Sequence, residues 1–265
     1  MRKQAYDYLE TNDRQLNEKY KLFKKGQTVV DLGYAPGSWS QVAHDRTSPN
    51  GRVIGIDILP VQPPKGVSTI QGNFLSPLVQ QQVRDYVRNG DSGRSYPATE
   101  KLMTTAENEE NGTKHMTEED LITVEKSILE PEMAQEQEDK VVDVVLSDMS
   151  APWDQTTGFW KRSLSDPYRR MMNTSGVNFR DHIGSMELCE AALDFAYETL
   201  KPGGSFVCKF FQGAEDKAFE KKLKALFAKV HREKPESSRS ESRENFFVAL
   251  RRKDGVSKGT VFTAV

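Results

Sequence analysis

Acidic residues and glycines stand at the ends of two apolar stretches near the N-terminus of this 265-residue chain. Residues 29–43 read VVDLGYAPGSWSQVA, with Asp31 and Gly33 behind a valine pair, and residues 54–60 read IGIDILP, with Asp57. A strand that ends in an acid, a glycine turn and a helix place backbone N–H groups beside a ligand. An acid after the second strand can accept hydrogen bonds from a ribose diol. Either aspartate alone is equally well explained as a turn cap, but the two together predict a nucleoside site.

Several other kinds of site do not fit the sequence. The turn at 31–39, DLGYAPGSW, matches neither G-x-G-x-x-G nor a Walker loop, which argues against a dinucleotide dehydrogenase and a P-loop NTPase. The four histidines are scattered without metal-ligand spacing, so no metal is expected. Cys189 and Cys208 have no CxxC partner and are expected to be reduced, buried thiols. No apolar run approaches 18 residues, so no membrane span is expected.

The segments that must position these residues alternate between strand and helix patterns. This alternation predicts an α/β fold with a mostly parallel sheet and helices on both faces. The predicted strands are 28–33, 52–59, 67–74, 140–149, 205–212 and 244–252, and the predicted helices are 38–46, 185–201 and 216–230.

One segment differs from the rest in composition. Residues 91–140 contain 14 acidic and 5 basic residues, few aromatics and little periodicity. Such a segment cannot bury a core, so it is predicted to be a disordered or loosely helical insertion. We therefore expect residues 1–265 to form one domain with this insertion inside it.

The remainder of the chain is basic. From Lys201 to the end there are 15 lysines and arginines against 8 acidic residues. This excess of positive charge could bind a polyanion. Aromatic and basic residues are also interleaved, as in RNA-binding surfaces, at 22–26, 159–162, 168–170 and 251–253. These features favour a nucleic-acid substrate over a small molecule.

Six motifs together resemble one family. They occupy residues 29–43, 54–60, 70–74, 144–153, 203–213 and 234–250. Their order and spacing resemble the FtsJ/RrmJ family of ribosomal RNA 2′-O-ribose methyltransferases, and most closely its fungal mitochondrial members, which act on a uridine of large-subunit rRNA. The resemblance implies a Rossmann-like methyltransferase fold, S-adenosyl-L-methionine as cofactor, and large-subunit rRNA or a pre-ribosomal particle as partner. It also implies a mitochondrial location, and we expect a monomer.

The resemblance also implies which residues bind the cofactor. Asp57 is expected at the ribose, and Asp148 is expected to border both the cofactor and the catalytic centre. Asn73 stands where much of the family has an aspartate facing the adenine, and its amide can still accept and donate hydrogen bonds. The full implied set is Pro36, Gly37, Ser38, Trp39, Asp57, Asn73 and Asp148.

Lys209, Asp148 and Glu244 match the family's catalytic residues. Methyl transfer needs the hydroxyl oxygen, the methyl carbon and the sulfur in line, so positioning supplies much of the catalysis. Lys209 can orient the hydroxyl and, when deprotonated, accept its proton. A lysine at a strand end usually extends to solvent, but its place within SFVCKFF favours a buried, functional residue. Carboxylates would favour its ammonium form, whereas burial and the cofactor's charge would favour the amine, and the sequence leaves this open.

The N-terminal region departs from the family pattern. Relatives carry a further catalytic lysine in a helix resembling SRAAFKL, and counting back from residues 19–23 reaches Asn12, whereas matching AY reaches Asp7. The basic, acid-poor composition of a mitochondrial targeting segment is also missing. We expect a mis-assigned start or first exon, or an isoform, and weak methyl transfer by the chain as written.

Two alternatives to an RNA methyltransferase stay open at this point. One is a ribosome assembly factor that binds rRNA and cofactor without efficient methylation, because the N-terminal lysine is missing. The other is a small-molecule methyltransferase of the same fold, which would not need a basic C-terminal surface.

Overall fold

The computed structural model describes most of the chain outside the acidic segment. The described residues are 13–89, 140–151, 153–154, 171–172, 174–234 and 242–263. Apart from Lys140, the predicted insertion at 91–140 lies outside them, so its character stays a prediction. Asn12, Asp7 and the aromatic-basic stretches 159–162 and 168–170 lie outside them as well.

A seven-stranded sheet runs through the centre of the described structure. Its order is β3-β2-β1-β4-β7-β9-β8, with parallel pairing from β3 to β7 and antiparallel pairing of β9 with both β7 and β8. The predicted mostly parallel sheet is confirmed. The strands are β1 (Thr28–Leu32), β2 (Arg52–Asp57), β3 (Ser68–Gln71), β4 (Val142–Ser147), β7 (Leu200–Phe211), β8 (Phe227–Glu233) and β9 (Glu244–Arg252), and β5 (Trp153–Asp154) pairs with β6 (Met171–Met172) in a separate ribbon.

Helices cover both faces of the sheet. They are α1 (residues 13–20), α2 (Ser38–Thr47), α3 (Pro77–Arg88), α4 (Asn178–Thr199), α5 (Asp216–Leu226) and α6 (Lys258–Phe262). Buried residues of α1 and α2 join one core cluster with the sheet, and those of α3, α4 and α5 join the other. None of the helices described here is long and apolar enough to cross a membrane.

The alternation of side chains along β7 explains how a lysine enters this fold. Phe206, Cys208 and Phe210 belong to the core beneath α4 and α5, and Val207 belongs to the core beneath α1 and α2. Because successive side chains of a strand point to opposite faces, Lys209 lies on the α1–α2 face. Cys189 and Cys208 are both buried free thiols, as expected.

Several sequence-based boundaries are wrong. The helix predicted at 185–201 begins seven residues earlier, at Asn178, and the strand predicted at 205–212 begins at Leu200. The helix predicted at 216–230 ends at Leu226, and the chain continues as β8, which pairs antiparallel with β9 at the sheet edge. Tertiary pairing there overrides a helical pattern, as it commonly does near element ends. Helix α3 was not predicted, although Val79, Val83 and Val87 recur at helical spacing and Pro77 stands at its first position.

Candidate active site

The glycine turn after β1 brings the ends of β1 and β4 into close contact. Gly33 has φ of 79°, in the left-handed region. A Cβ added to it would lie 2.8 Å from the Cα of Met149. The backbone N–H of Asp148 donates to the carbonyl of Leu32 at 3.0 Å. Glycine at position 33 therefore places Asp148 at the point where the strand order reverses, which is where ligands bind in such sheets.

A cavity of about 280 Å³ opens at this point. Its walls come from the β1–α2 turn, the ends of β2, β3 and β4, and one residue each of α4 and β7. The lining residues are Gly33, Ala35, Pro36, Ile56, Asp57, Ile58, Leu59, Gly72, Asn73, Phe74, Leu75, Asp148, Met149, Ser150, Ala151, Leu188 and Lys209. Five of the predicted site residues are thus brought to one cavity: Pro36, Asp57, Asn73, Asp148 and Lys209.

Gly33→Ala should lower both stability and cofactor affinity, and Gly26→Ala is a matched control. Gly26 has φ of 80°, and a Cβ there would meet nothing within 4 Å. Both variants lose about 1–2 kcal/mol from the left-handed backbone, but Gly33→Ala should lose about 1–3 kcal/mol more because Met149 must move. Urea unfolding and calorimetry with S-adenosylmethionine measure the two effects. Equal losses in both variants, with equal cofactor affinity, would contradict this role of Gly33.

Asp57 accepts hydrogen bonds from the backbone of two turns and also lines the cavity. Its Oδ2 accepts from the backbone N–H of Ala35 at 3.0 Å, and its Oδ1 accepts from that of Leu59 at 2.9 Å. Each carboxylate oxygen can accept a second hydrogen bond, so a ribose diol can still bind. Burial raises the pKa of Asp57, and the backbone N–H groups oppose that shift.

Asn73 lies at the exposed rim of the cavity beyond β3. Its Oδ1 accepts from the backbone N–H of Leu75 at 3.0 Å. The amide nitrogen remains available as a donor to a ring nitrogen, and Oδ1 keeps a second lone pair for an exocyclic amine.

Three of the expected cofactor residues at the start of α2, Gly37, Ser38 and Trp39, do not line the cavity. The side chain of Trp39 is in the core, with its ring centroid 6.4 Å from Phe23 and 6.3 Å from Phe246, so the indole cannot line the cavity. Gly37 and Ser38 are buried and are not among the lining residues, and Pro64 covers Gly37. Position 39 can reach a ligand only through its backbone N–H, which is one of the first-turn donors of α2 without an acceptor inside the helix.

Lys209 makes a buried, three-way contact at the cavity wall. Its side chain is 6% exposed, and Nζ lies 2.8 Å from Oδ1 of Asp148. It also donates to the backbone oxygen of Asp148 at 2.9 Å and to Oγ of Ser150 at 2.8 Å. Sequence reasoning did not single out Ser150, because a serine after Asp-Met carries no distinctive pattern.

Among the chain's own groups, the carboxylates near Lys209 favour its ammonium form. Burial alone would lower the pKa of Lys209, but the carboxylates of Asp148 and Glu244 outweigh it, so the pKa is raised. Glu244 begins β9, directly opposite Phe211 of β7. Burial raises the pKa of Glu244, the Lys209 ammonium opposes this, and Asp148 adds to it. The three predicted catalytic residues are therefore electrostatically linked.

Asp31 lies beneath the site and outside the cavity wall. It is fully buried, and its Oδ2 accepts from Oγ of Ser40 at 2.6 Å. Its other oxygen, Oδ1, has no hydrogen-bond partner within the described part of the chain. Burial, together with Asp148 and Asp57, raises the pKa of Asp31 to about 7 although the Ser40 bond opposes the shift.

The aromatic-basic stretches that the structure describes do not surround this site. Residues 22–26 precede β1 and residues 251–253 end the antiparallel β9, so both lie at the opposite edge of the sheet. Arg252 is buried and donates to the carbonyls of Leu200 and Tyr197 at 2.8 Å. The interpretation of 251–253 as an RNA-binding surface is therefore wrong for Arg252, whose guanidinium holds the sheet to α4.

Comparisons with known proteins point to one family. A family model described as FtsJ-like methyltransferase matches residues 14–252. A Saccharomyces cerevisiae protein named rRNA methyltransferase 2, mitochondrial, is 41% identical over 94% of this chain and 81% of its own length. A Schizosaccharomyces pombe protein of the same name is 34% identical over 90% of this chain and 83% of its own. A crystal structure of a ribosomal RNA methyltransferase from Plasmodium falciparum shares the fold, with a TM-score of 0.54 and 23% identity over 90% of this chain and 93% of that one.

Proposed function

Because this chain belongs to the FtsJ-like methyltransferase family, we propose that it transfers a methyl group from S-adenosyl-L-methionine to a ribose 2′-hydroxyl of large-subunit ribosomal RNA. The observation that carries this proposal is the buried contact between Lys209 and Asp148 in the wall of the cavity where the strand order reverses. The names of the two yeast relatives support rRNA as substrate and the mitochondrion as location. The 2′-hydroxyl and a uridine target rest on the motif resemblance.

The described residues fit S-adenosylmethionine. A carboxylate at the end of β2 can accept from the ribose diol, and the amide of Asn73 can meet the adenine. The first-turn N–H groups of α2 suit the carboxylate of an amino acid, because helix N-termini attract anions. Asp148 adds negative charge where a cationic ligand would lie. When bound, this cofactor supplies an electrophilic methyl group on a sulfonium.

The chain's own residues would orient the hydroxyl and manage its proton. With its raised pKa, Lys209 is an ammonium at neutral pH and can donate a hydrogen bond to the ribose oxygen, in the manner of its bond to Ser150. That bond would fix the orientation of the ribose oxygen at the cavity wall. A ribose hydroxyl that takes up a methyl group would also have to release its proton. Glu244 is paired with Phe211, two residues from Lys209 on β7, so the side chains of Glu244 and Lys209 lie on the same face of the sheet. Glu244 would accept that proton, and its raised pKa suits it to this role.

Two assays separate this proposal from its alternatives. Retention of structured rRNA on a filter, with no retention of a small methyl acceptor, would exclude the small-molecule methyltransferase. Transfer of labelled methyl groups to the bound rRNA would exclude the assembly factor, which gains no support from the names of the relatives. Binding of rRNA without any transfer would contradict the proposed function.

Asp57→Ala should weaken cofactor binding about 10- to 100-fold. Two hydrogen bonds to the ribose are lost, at about 0.7–1.5 kcal/mol each. Asp57→Asn is the matched variant, since its amide oxygen still caps one turn N–H and its affinity should fall less. Calorimetry with S-adenosylmethionine on folded protein measures both. Unchanged affinity in Asp57→Ala would remove Asp57 from the site.

A further inference from the structure

Phe179 is an aromatic side chain that the fold leaves in solvent. It is 74% exposed, and Val177 beside it is 53% exposed. Single exposed apolar residues are common on protein surfaces and need no explanation by themselves. The position of Phe179 relative to the active site, however, indicates a functional role.

The first turns of α4 are fixed to the strand that carries Lys209. His182 Nδ1 contacts the carbonyl of Phe211 at 2.7 Å, and Ser185 Oγ accepts from the N–H of Phe211 at 3.1 Å. Cys189 Sγ contacts the carbonyl of Lys209 at 3.2 Å. Since α4 runs antiparallel to β7, Phe179 lies about one turn, roughly 5 Å, beyond the level of Phe211. It therefore extends past the sheet edge at which the cavity opens.

This first turn is rigid. His182 is buried, and its Nε2 accepts from the backbone N–H of Glu215 at 3.1 Å while Nδ1 contacts Phe211. Asp181 is buried too and accepts from the N–H of Ser175 at 2.6 Å. An aromatic ring on such a support loses little conformational entropy on binding a flat partner.

The exposed charges at this edge are mixed. Arg180 follows Phe179 on α4, and Arg243 lies across from Gln212, whose N–H donates to the Arg243 carbonyl at 3.0 Å. Glu215 is also exposed nearby. Two arginines can meet phosphates, and an exposed ring can stack on an unpaired base, which is the usual way that proteins hold single-stranded RNA.

We propose that Phe179 is a stacking platform for a base of the RNA strand next to the target nucleotide, with Arg180 and Arg243 beside the flanking phosphates. This inference rests on the proposed function, because it assumes an RNA substrate at Lys209. Stacking on Phe179 holds the strand outside the cavity while the target ribose reaches the ammonium of Lys209. The platform is a positioning surface and takes no part in the transfer itself.

Phe179→Ala tests the platform, with Phe179→Trp, Phe179→Leu and Leu78→Ala as matched variants. Leu78 is 70% exposed on α3 and belongs to no site described above, so it controls for loss of an exposed apolar side chain. Phe179→Ala should weaken filter binding of an rRNA fragment about tenfold or more. The slope of affinity against salt should not change, since no phosphate contact is lost. Phe179→Trp should restore binding, Phe179→Leu should not, and cofactor affinity should be equal throughout.

Each contrary outcome has a separate meaning. Phe179→Ala binding RNA as tightly as Leu78→Ala would overturn the platform and leave the proposed function standing. Full binding by Phe179→Leu would also overturn it, because any apolar partner would then suffice. Self-association of the wild type that Phe179→Ala abolishes, seen by sedimentation, would assign the surface to a second copy of this chain. A wild type that neither binds nor methylates rRNA would overturn the proposed function together with the platform.

Discussion

Lys209→Met should lower the rate of methyl transfer about 10²-fold or more, because the hydrogen bond that orients the ribose oxygen is lost, while cofactor affinity changes little. Methionine keeps the length of the side chain but cannot donate to a ribose oxygen. The contact with Asp148 at 2.8 Å is lost as well, so stability should also fall. Single-turnover rates at saturating cofactor and RNA, measured below the melting transition, separate the loss of chemistry from the loss of fold.

A second lysine of the same strand provides the control. Lys201 is the second residue of β7, at the opposite edge of the sheet, and its Nζ lies 3.1 Å from Oδ1 of Asp143. Lys201→Met therefore removes an ion pair from β7 without touching the cavity, and its transfer rate should equal that of the wild type. Wild-type turnover by Lys209→Met would show that the ammonium is dispensable and that positioning by other groups suffices.

Asp31→Asn should change the pH dependence of stability by up to about 4 kcal/mol. The pKa of Asp31 is raised from 3.8 to about 7, so between these values the folded state keeps a proton that the unfolded state releases. The contribution of Asp31 to stability is therefore fully present below about pH 4 and is lost as the pH rises to 7, at about 1.4 kcal/mol per pH unit. Asparagine keeps the shape and does not titrate. The free energy of unfolding of the variant should therefore rise relative to that of the wild type as the pH increases across this range.

The measurement is urea unfolding of both proteins from pH 5 to pH 8. Ser40→Ala is a useful second variant, because it removes the hydrogen bond that opposes the raised pKa and should extend the pH-dependent range upward. A constant difference between wild type and Asp31→Asn at every pH would show that Asp31 is already ionised in the folded protein at pH 5.

The sequence predicted those parts of the site that depend on strand ends. Gly33 and Asp57 stand at the ends of buried strands, and parallel strands bring their carboxyl ends to one edge, so local pattern was enough for them. Asp31 was predicted on the same pattern but lies outside the cavity wall, and Asp148 was implied by the family resemblance. The burial of Lys209 followed from the apolar residues around it. The sign of its pKa shift did not, because that depends on the positions of Asp148 and Glu244 in space.

Other features could not be predicted because they depend on which face of an element is covered. The motif placed Trp39 in the cofactor site, but helical rotation turns its indole towards Phe246 of β9. Strand β8 lies at the edge of the sheet, and it forms through its pairing with β9. Phe179 is notable only for its exposure, and a sequence does not show which aromatic side chain stays in solvent.

The most direct measurement of the central claim is the position of the transferred methyl group. Large-subunit rRNA is incubated with the protein and methyl-labelled S-adenosylmethionine, and the product is hydrolysed with alkali. Alkaline cleavage needs a free 2′-hydroxyl, so the account predicts label in an alkali-resistant dinucleotide, present with wild type and Lys201→Met and missing with Lys209→Met. Label released in mononucleotides, which would place the methyl on a base, or no label in RNA at all, would contradict it.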